Sequence, residues 1–154
     1  MRWLIVLAMM IIPGIVSLLY LRSAPHKPID SIAVLPFLNA SGDSDAEMLC
    51  DRITASLTLS LAKLPNLRVA SRDAVMRYKS LQSDVRTVGH ELGVRAVVQG
   101  SIERREDSYY IRAELNDAGS NELIWSQQYP LEADHVAAAV NEIIKDIADH
   151  IRFH

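Results

Sequence analysis

The sequence predicts a transmembrane helix at the N-terminus followed by one compact α+β domain in the order β-α-β-α-α-β-β-β-α, its helices packed on a mixed sheet. Three observations carry this. The chain opens on a long run without charge. Behind it, apolar stripes at three-and-four spacing alternate with short apolar runs of strand length. Three consecutive strand-length stretches then follow, separated by turn residues, as in an antiparallel meander. The expected boundaries are 1–22 for the anchor, 23–30 for a linker and 31–154 for the domain.

The first segment, Trp3 to Leu21, has nineteen residues without a charge, flanked by Arg2 and Arg22. As a helix it would cover roughly 28 Å, close to the hydrocarbon thickness of a bilayer. Trp3 and Tyr20 stand at the ends, where amphipathic aromatics settle at the membrane interface. A cleaved signal fits less well. Its apolar region is shorter, and a cut after Ala24 would set Arg22 where a small residue is required. The flanking cations nearly balance, so charge leaves the orientation open. Two prolines in Ser23 to Asp30 make a short stiff linker.

"IAVLPF" (Ile32 to Phe37) reads as a strand covered on both faces, its pairing ending near Pro36, which has no N–H to give. In "NASGDSDAE", Ser44 and Glu47 have the spacing of a capping box, with Asp43 and Asp45 suited to a helix N-terminus. Leu49, Ile53, Leu57, Leu61 and Leu64 form the stripe of the helix that follows, and Pro65-Asn66 should stop it. "LRVAS" is a short strand. Asp73 is the expected cap of a brief helix through Tyr78. A second short helix should run from about Asp84 with Gly93 just past its end. Gly100, inside the strand "VRAVVQGSIER", predicts a bulge or a close backbone approach. "REDS" and "DAGSNE" are turns around the strand "YYIRAELN". "LIWSQQY" is the last strand, and Val136 to Ile151 carry the stripe of a final helix.

From Ile29 onward the net charge is −6, which disfavours nucleic acid as a partner. Cys50 is the only cysteine, so no disulfide framework or cysteine metal cluster arises. The loop before the first helix has one glycine and three acids, a pattern that repels phosphate and lacks the glycine and glutamate of an EF-hand. His90, His135 and the pair His150 and His154 are read as surface or structural groups, and no nucleophile elbow is present. A hydrolase using Asp43 or His90 is the disfavoured enzymatic alternative. The residues predict no catalytic, cofactor-binding or metal site. The aromatics Tyr109, Tyr110, Trp125 and Tyr129 gather on the last two strands. Core packing explains Tyr109 and Trp125, while Trp125, Tyr110, Arg112 and Tyr129 are the candidate contacts for a protein partner.

"SIAVLPFLNASGD", "LRVASR", "ELGVRAVVQGSI" and "LNDAGSNELIWSQQY" occur in that order and resemble the TolB-like amino-terminal domain, an α/β module of membrane-linked bacterial regulators related to a subdomain of the CadC/ToxR type. The positions that carry the resemblance are Pro36, Asn39, Ser41, Gly42, Asp43, Asp51, Gly93, Gly100, Ser101, Asp117 and Trp125. They read as turn, cap and packing residues. The chain departs from the family pattern at "RITASL", which lacks an acidic helix face, and at "VMRYKS". The resemblance implies a single-pass protein of the bacterial inner membrane with its C-terminal domain in the periplasm, acting as a non-enzymatic binding or sensory module. The alternative is the anchor-and-sensor portion, or a partner, of a membrane-bound winged-helix regulator. The sequence leaves the oligomeric state open.

Overall fold

The computed structural model describes residues 28–79 and 84–153. Strands β1 (Ser31–Val34) and β2 (Leu38–Asn39) lead into helix α1 (Ser44–Leu61). Strand β3 (Arg68–Val69) and two short helices, α2 (Arg72–Met76) and α3 (Val85–Leu92), follow. Three long strands, β4 (Ala96–Arg105), β5 (Ser108–Asp117) and β6 (Leu123–Leu131), then precede helix α4 (Val136–Phe153). The sheet runs β3-β1-β4-β5-β6, with β2 also paired to β4. β1 is parallel to β3 and β4, whereas β5 is antiparallel to both β4 and β6.

Chain direction explains which helix covers which face. α1 connects β1 to β3 on one side, and α2 with α3 connects β3 back across β1 to β4. Parallel crossovers are right-handed, so reversing the direction of travel puts the second connection on the opposite face. The two cores follow. Ile32 and Val34 pack with Leu49, Ile53 and Leu57 of α1 and with Ile143 and Ile147 of α4. Ala33, Leu35 and Val97 pack with Val75, Val85 and Val88 on the other face. The second core ends at Ala118, so no described helix covers that face of the antiparallel half.

β4 serves both halves of the sheet. Its first residues pair with Ile32 to Val34, and Ser101 and Ile102 pair with Leu38 and Asn39. Between these pairings the neighbouring chain leaves the ladder at Pro36 and Phe37. Leu35 N–H still reaches the Val98 carbonyl at 2.9 Å. The buried Phe37 N–H donates instead to Thr54 Oγ1 of α1 at 3.0 Å, and that hydroxyl donates to the Cys50 carbonyl at 2.7 Å. The freed Phe37 ring turns onto Gly100, where a Cβ would overlap the ring and sit 2.6 Å from the Arg112 carbonyl oxygen. Gly100 therefore marks a close approach. The irregularity in the ladders lies elsewhere, between Leu115 and Asn116.

Several expectations are corrected. The mixed α+β domain forms, but among the described residues no helix is long and apolar enough to cross a membrane. The expected span, 3–21, lies outside the described residues, and the fold is described without a transmembrane helix. Pairing pauses at Pro36 and resumes as β2, which adds a strand to the expected order. Asp43, not Ser44, caps α1, accepting the Ala46 N–H at 2.6 Å. Ser71, not Asp73, caps α2, and Asp73 lies in the first turn. α1 ends at Leu61, before Pro65, and Asn66 takes a left-handed φ of 62° in the turn that follows. Gly93 caps α3 at φ 62°, the position only glycine occupies without strain.

Two substitutions test the pause in β1. Gly100→Ala should cost on the order of 2 kcal/mol, because the Phe37 ring must move to admit the methyl group. Thr54→Val keeps the shape but leaves a buried N–H unpaired, and should cost about 1–3 kcal/mol. Urea midpoints of the purified variants measure both; wild-type midpoints would refute the account.

Candidate functional site

The loop 39–45 is built by its own side chains. Asn39 Oδ1 accepts the N–H groups of Ser41 at 3.0 Å and Gly42 at 2.8 Å, while its Nδ2 donates to the Asp43 carbonyl at 2.7 Å. Gly42 takes φ 75°, which lets the loop close. Ser41 Oγ accepts the Arg104 N–H at 2.6 Å, tying the loop to the end of β4. Asp43 caps α1 and also accepts from the Tyr109 hydroxyl at 3.3 Å. Burial, and then the Asp43 charge, raise the Tyr109 pKa. These polar atoms shape backbone.

The other motif positions behave alike. Asp51 pairs with Lys79 at 3.1 Å, and Glu47 reaches the same ammonium at 2.8 Å. Hydrogen bonds donated to Glu47 and Asp51 raise the Lys79 pKa. The three residues join α1 to the chain just past α2, beside a cleft of about 570 Å³ lined by Phe37, Leu38, Asn39, Glu47 and Lys79. Asp117, only 6% exposed, accepts the Gly119 and Ser120 N–H groups at 2.7 and 2.9 Å and pairs with Arg95 at 3.1 Å. Pro36 is buried at the pause, and Ser101 lies opposite both Leu38 and Arg112.

The candidate partner contacts divide between two faces. Tyr110 and Arg112 alternate with the buried Ile111 and Ala113, so they stand on the uncovered face. Arg112 is exposed there, and Tyr110 carries the Arg105 guanidinium over its ring at 5.2 Å. Trp125 and Tyr129 turn the other way, toward α4. Tyr129 is 5% exposed and its hydroxyl donates to Asp146 Oδ2. Trp125, half-buried, lies 5.8 Å from the His150 ring and 6.3 Å from Tyr129. The structure thus brings together Tyr110 with Arg112, and Trp125 with Tyr129, but not the four. Thr54 and Lys79 escaped the sequence reading, and Asp146, which reads there as a solvated carboxylate, instead accepts from Tyr129; nothing local in the chain marks a partner 17 or 28 residues away.

The structure does not bring Asp43 and His90 together. His90 is exposed on α3, on the opposite side of the sheet from Asp43. His150 Nδ1 lies 2.7 Å from the Asp146 carbonyl oxygen, and His154 is outside the described residues. Among the described residues no three His, Cys, Asp or Glu side chains converge to hold a metal ion. Cys50 is buried, and burial followed by the charges of Glu47 and Asp51 pushes its thiol up to about 12. It is not a nucleophile at neutral pH.

A mixed sheet with motif residues engaged in its own backbone defines an α+β domain. Over residues 28–147 the chain matches the HilA/YgeH-like transcriptional regulator, second domain, and it belongs to that family. A protein of Rhizobium meliloti (strain 1021) named "Putative adenylate cyclase 3" is 35% identical over 128 residues. The match takes in 83% of this chain but 22% of that protein, so the chain spans about a fifth of that relative's length. TolB from Acinetobacter baumannii superposes with a TM-score of 0.57 at 16% identity, over 82% of this chain and 30% of TolB. Lipoprotein GNA1162 from Neisseria meningitidis gives 0.57 at 17% identity, over 77% and 96% of the two chains. The LpoB C-terminal domain from Salmonella enterica gives 0.56 at 15%, over 73% and 90%. The TolB-like fold expected from the motifs is therefore present, and at these identities the likeness speaks for fold.

Asn39→Ala removes three hydrogen bonds at once and should lower stability by about 2–3 kcal/mol in urea titrations; a neutral result would show the loop to be held by something else. The Tyr129 pKa is raised, first by burial and then by its bond to Asp146. The folded value lies above the unfolded value of about 10, so this contribution is complete below about pH 10 and is lost as pH rises from there through the folded value. Tyr129→Phe should flatten the fall in urea midpoint above about pH 10. An unchanged slope would show that Tyr129 does not contribute.

Proposed function

We propose that this chain is a non-enzymatic protein-interaction module of a bacterial regulatory protein, meeting its partner through the β5–β6 hairpin. One observation carries the reading. The polar residues of the family motif are engaged in caps, turns and ion pairs, whereas Tyr110, Arg112, Ser126 and Gln128 lie on the part of a sheet face that no described helix covers. Membership of a regulator family supplies the context. The partner is a protein, either the remaining domains of a regulator on another chain or an envelope component. Periplasmic exposure belongs to this reading and is supported by the resemblance to membrane-linked regulators; alkaline phosphatase and β-galactosidase fusions at the C-terminus test it.

A second reading makes the domain an accessory to a nucleotide cyclase. The adenylate cyclase name favours it, because the match occupies only 22% of that protein and leaves ample chain for a separate catalytic domain. On either reading this chain alone makes no cyclic AMP from ATP, and measurable product would refute both.

A photo-crosslinking amino acid in place of Arg112 should yield a discrete protein adduct in cells, while one at the exposed Lys63, in the turn after α1, should not. Equal yields at the two positions would overturn the hairpin assignment.

A further inference from the structure

The long edge of the sheet points to a further contact of this module, one that rests on the interaction reading above. Backbone direction can be traced across the strands. Leu35 N–H donates to the Val98 carbonyl and Ala40 N–H to the Ile102 carbonyl, so even-numbered residues of β4 turn their backbone groups toward β1 and β2. Odd-numbered residues of β4 therefore serve β5, and the register Ser101 to Arg112 makes even-numbered residues of β5 their partners. Odd-numbered residues of β5 serve β6, as the bond from Asp117 N–H to the Glu122 carbonyl shows directly. They face Trp125, Gln127 and Tyr129. The backbone groups of Ser126, Gln128 and Pro130 are left pointing out of the sheet. Proline is found at such a position because it has no N–H to leave unpaired.

Exposed edges that stay single are guarded by charge, usually lysine, or by strong bulges. From Leu123 to Leu131 there is no charged residue, although the chain from Ile29 onward carries a net −6. The polar side chains at the centre of this edge are one hydroxyl and two amides, each both donor and acceptor, so each can pair with its own kind. We infer that β6 pairs antiparallel with β6 of a second copy of this chain about a two-fold axis near Gln127. In that register Ser126 lies opposite Gln128 of the second copy and exchanges both backbone bonds with it, twice by symmetry. Pro130 falls opposite Ile124 and forfeits one donor in each copy. The two Gln127 residues form the central pair without backbone bonds, the kind with the closest Cα atoms, about 4.5 Å apart.

That geometry gives the test. In the full 154-residue chain, held in mild detergent because of its apolar first segment, Gln127→Cys should oxidise to a covalent dimer, since a central pair suits a disulfide. Ser120→Cys, in an exposed turn, should not. Cys50 is buried and stays out of the reaction. Gln128→Pro removes an outward N–H without touching the β5 ladder. It should keep the wild-type melting midpoint and weaken self-association in sedimentation equilibrium by on the order of tenfold or more. If Gln128→Pro fails to fold, Gln127→Glu, which sets two like charges across the axis, should weaken association equally. A monomer at all concentrations, Ser120→Cys crosslinking as well as Gln127→Cys, or a dimer indifferent to the edge variants would overturn the inference. A heterologous adduct at Arg112 with no homodimer would sink self-pairing and spare the interaction reading; no adduct and no dimer would sink both.

Discussion

The Phe37 ring lies against the backbone of Gly100, and through that contact one strand serves two kinds of pairing. β4 must follow β1 in parallel for three residues, then continue beside β2, while keeping ten antiparallel pairs with β5. A ladder unbroken on both sides would leave no room for a ring above β4. Pro36 breaks it, Thr54 takes up the Phe37 N–H that the break releases, and glycine at 100 gives the ring its seat. Each of the three is ordinary alone. Together they set where β1 stops, where β2 resumes, and where α1 presses on the sheet.

That seat also positions the loop at 39–45. β2 ends at Asn39, whose amide closes the turn, and Ser41 then receives the Arg104 N–H from the far end of β4. The cap at Asp43 and its bond from Tyr109 carry the connection to α1 and β5. The polar side chains of this loop are turned inward onto N–H and C=O groups. A carboxylate already accepting backbone and hydroxyl protons is a poor ligand for a cation and a poor general base, because both uses would have to break the cap.

Periodicity made most of this fold legible. The stripe from Leu49 to Leu61, the alternation around Ile111 and Ala113, and the glycine after Leu92 each predicted their element from local chemistry alone. Local chemistry also explains the near misses at the caps. Asp43 and Ser44, or Ser71 and Asp73, are all good cap residues, and only the backbone at 43 and 71, extended at ψ near 155°, selects between them. Gly100 announced a close approach without naming Phe37, 63 residues earlier. The candidate contacts were the least legible part. Tyr110 and Trp125 share a hairpin, but the register of β5 against β6 and the placement of α4 decide that one faces open space and the other a helix.

The same register bears on how a small acidic domain can recognise anything. Its charges are mostly paired or scattered over helices, and screening leaves such pairs weak at distance. Backbone groups on an edge strand behave differently. They are fixed in direction by the sheet, their spacing is set to that of any other strand, and no side-chain entropy is lost in ordering them. A surface of this kind discriminates by shape and register, with Ser126, Gln127 and Gln128 adding amide and hydroxyl matches at low energetic cost. Recognition through β6, as proposed above, would draw only on backbone that the sheet already directs, and the contact of Phe37 with Gly100 fixes where β4 lies beside β5 in that sheet.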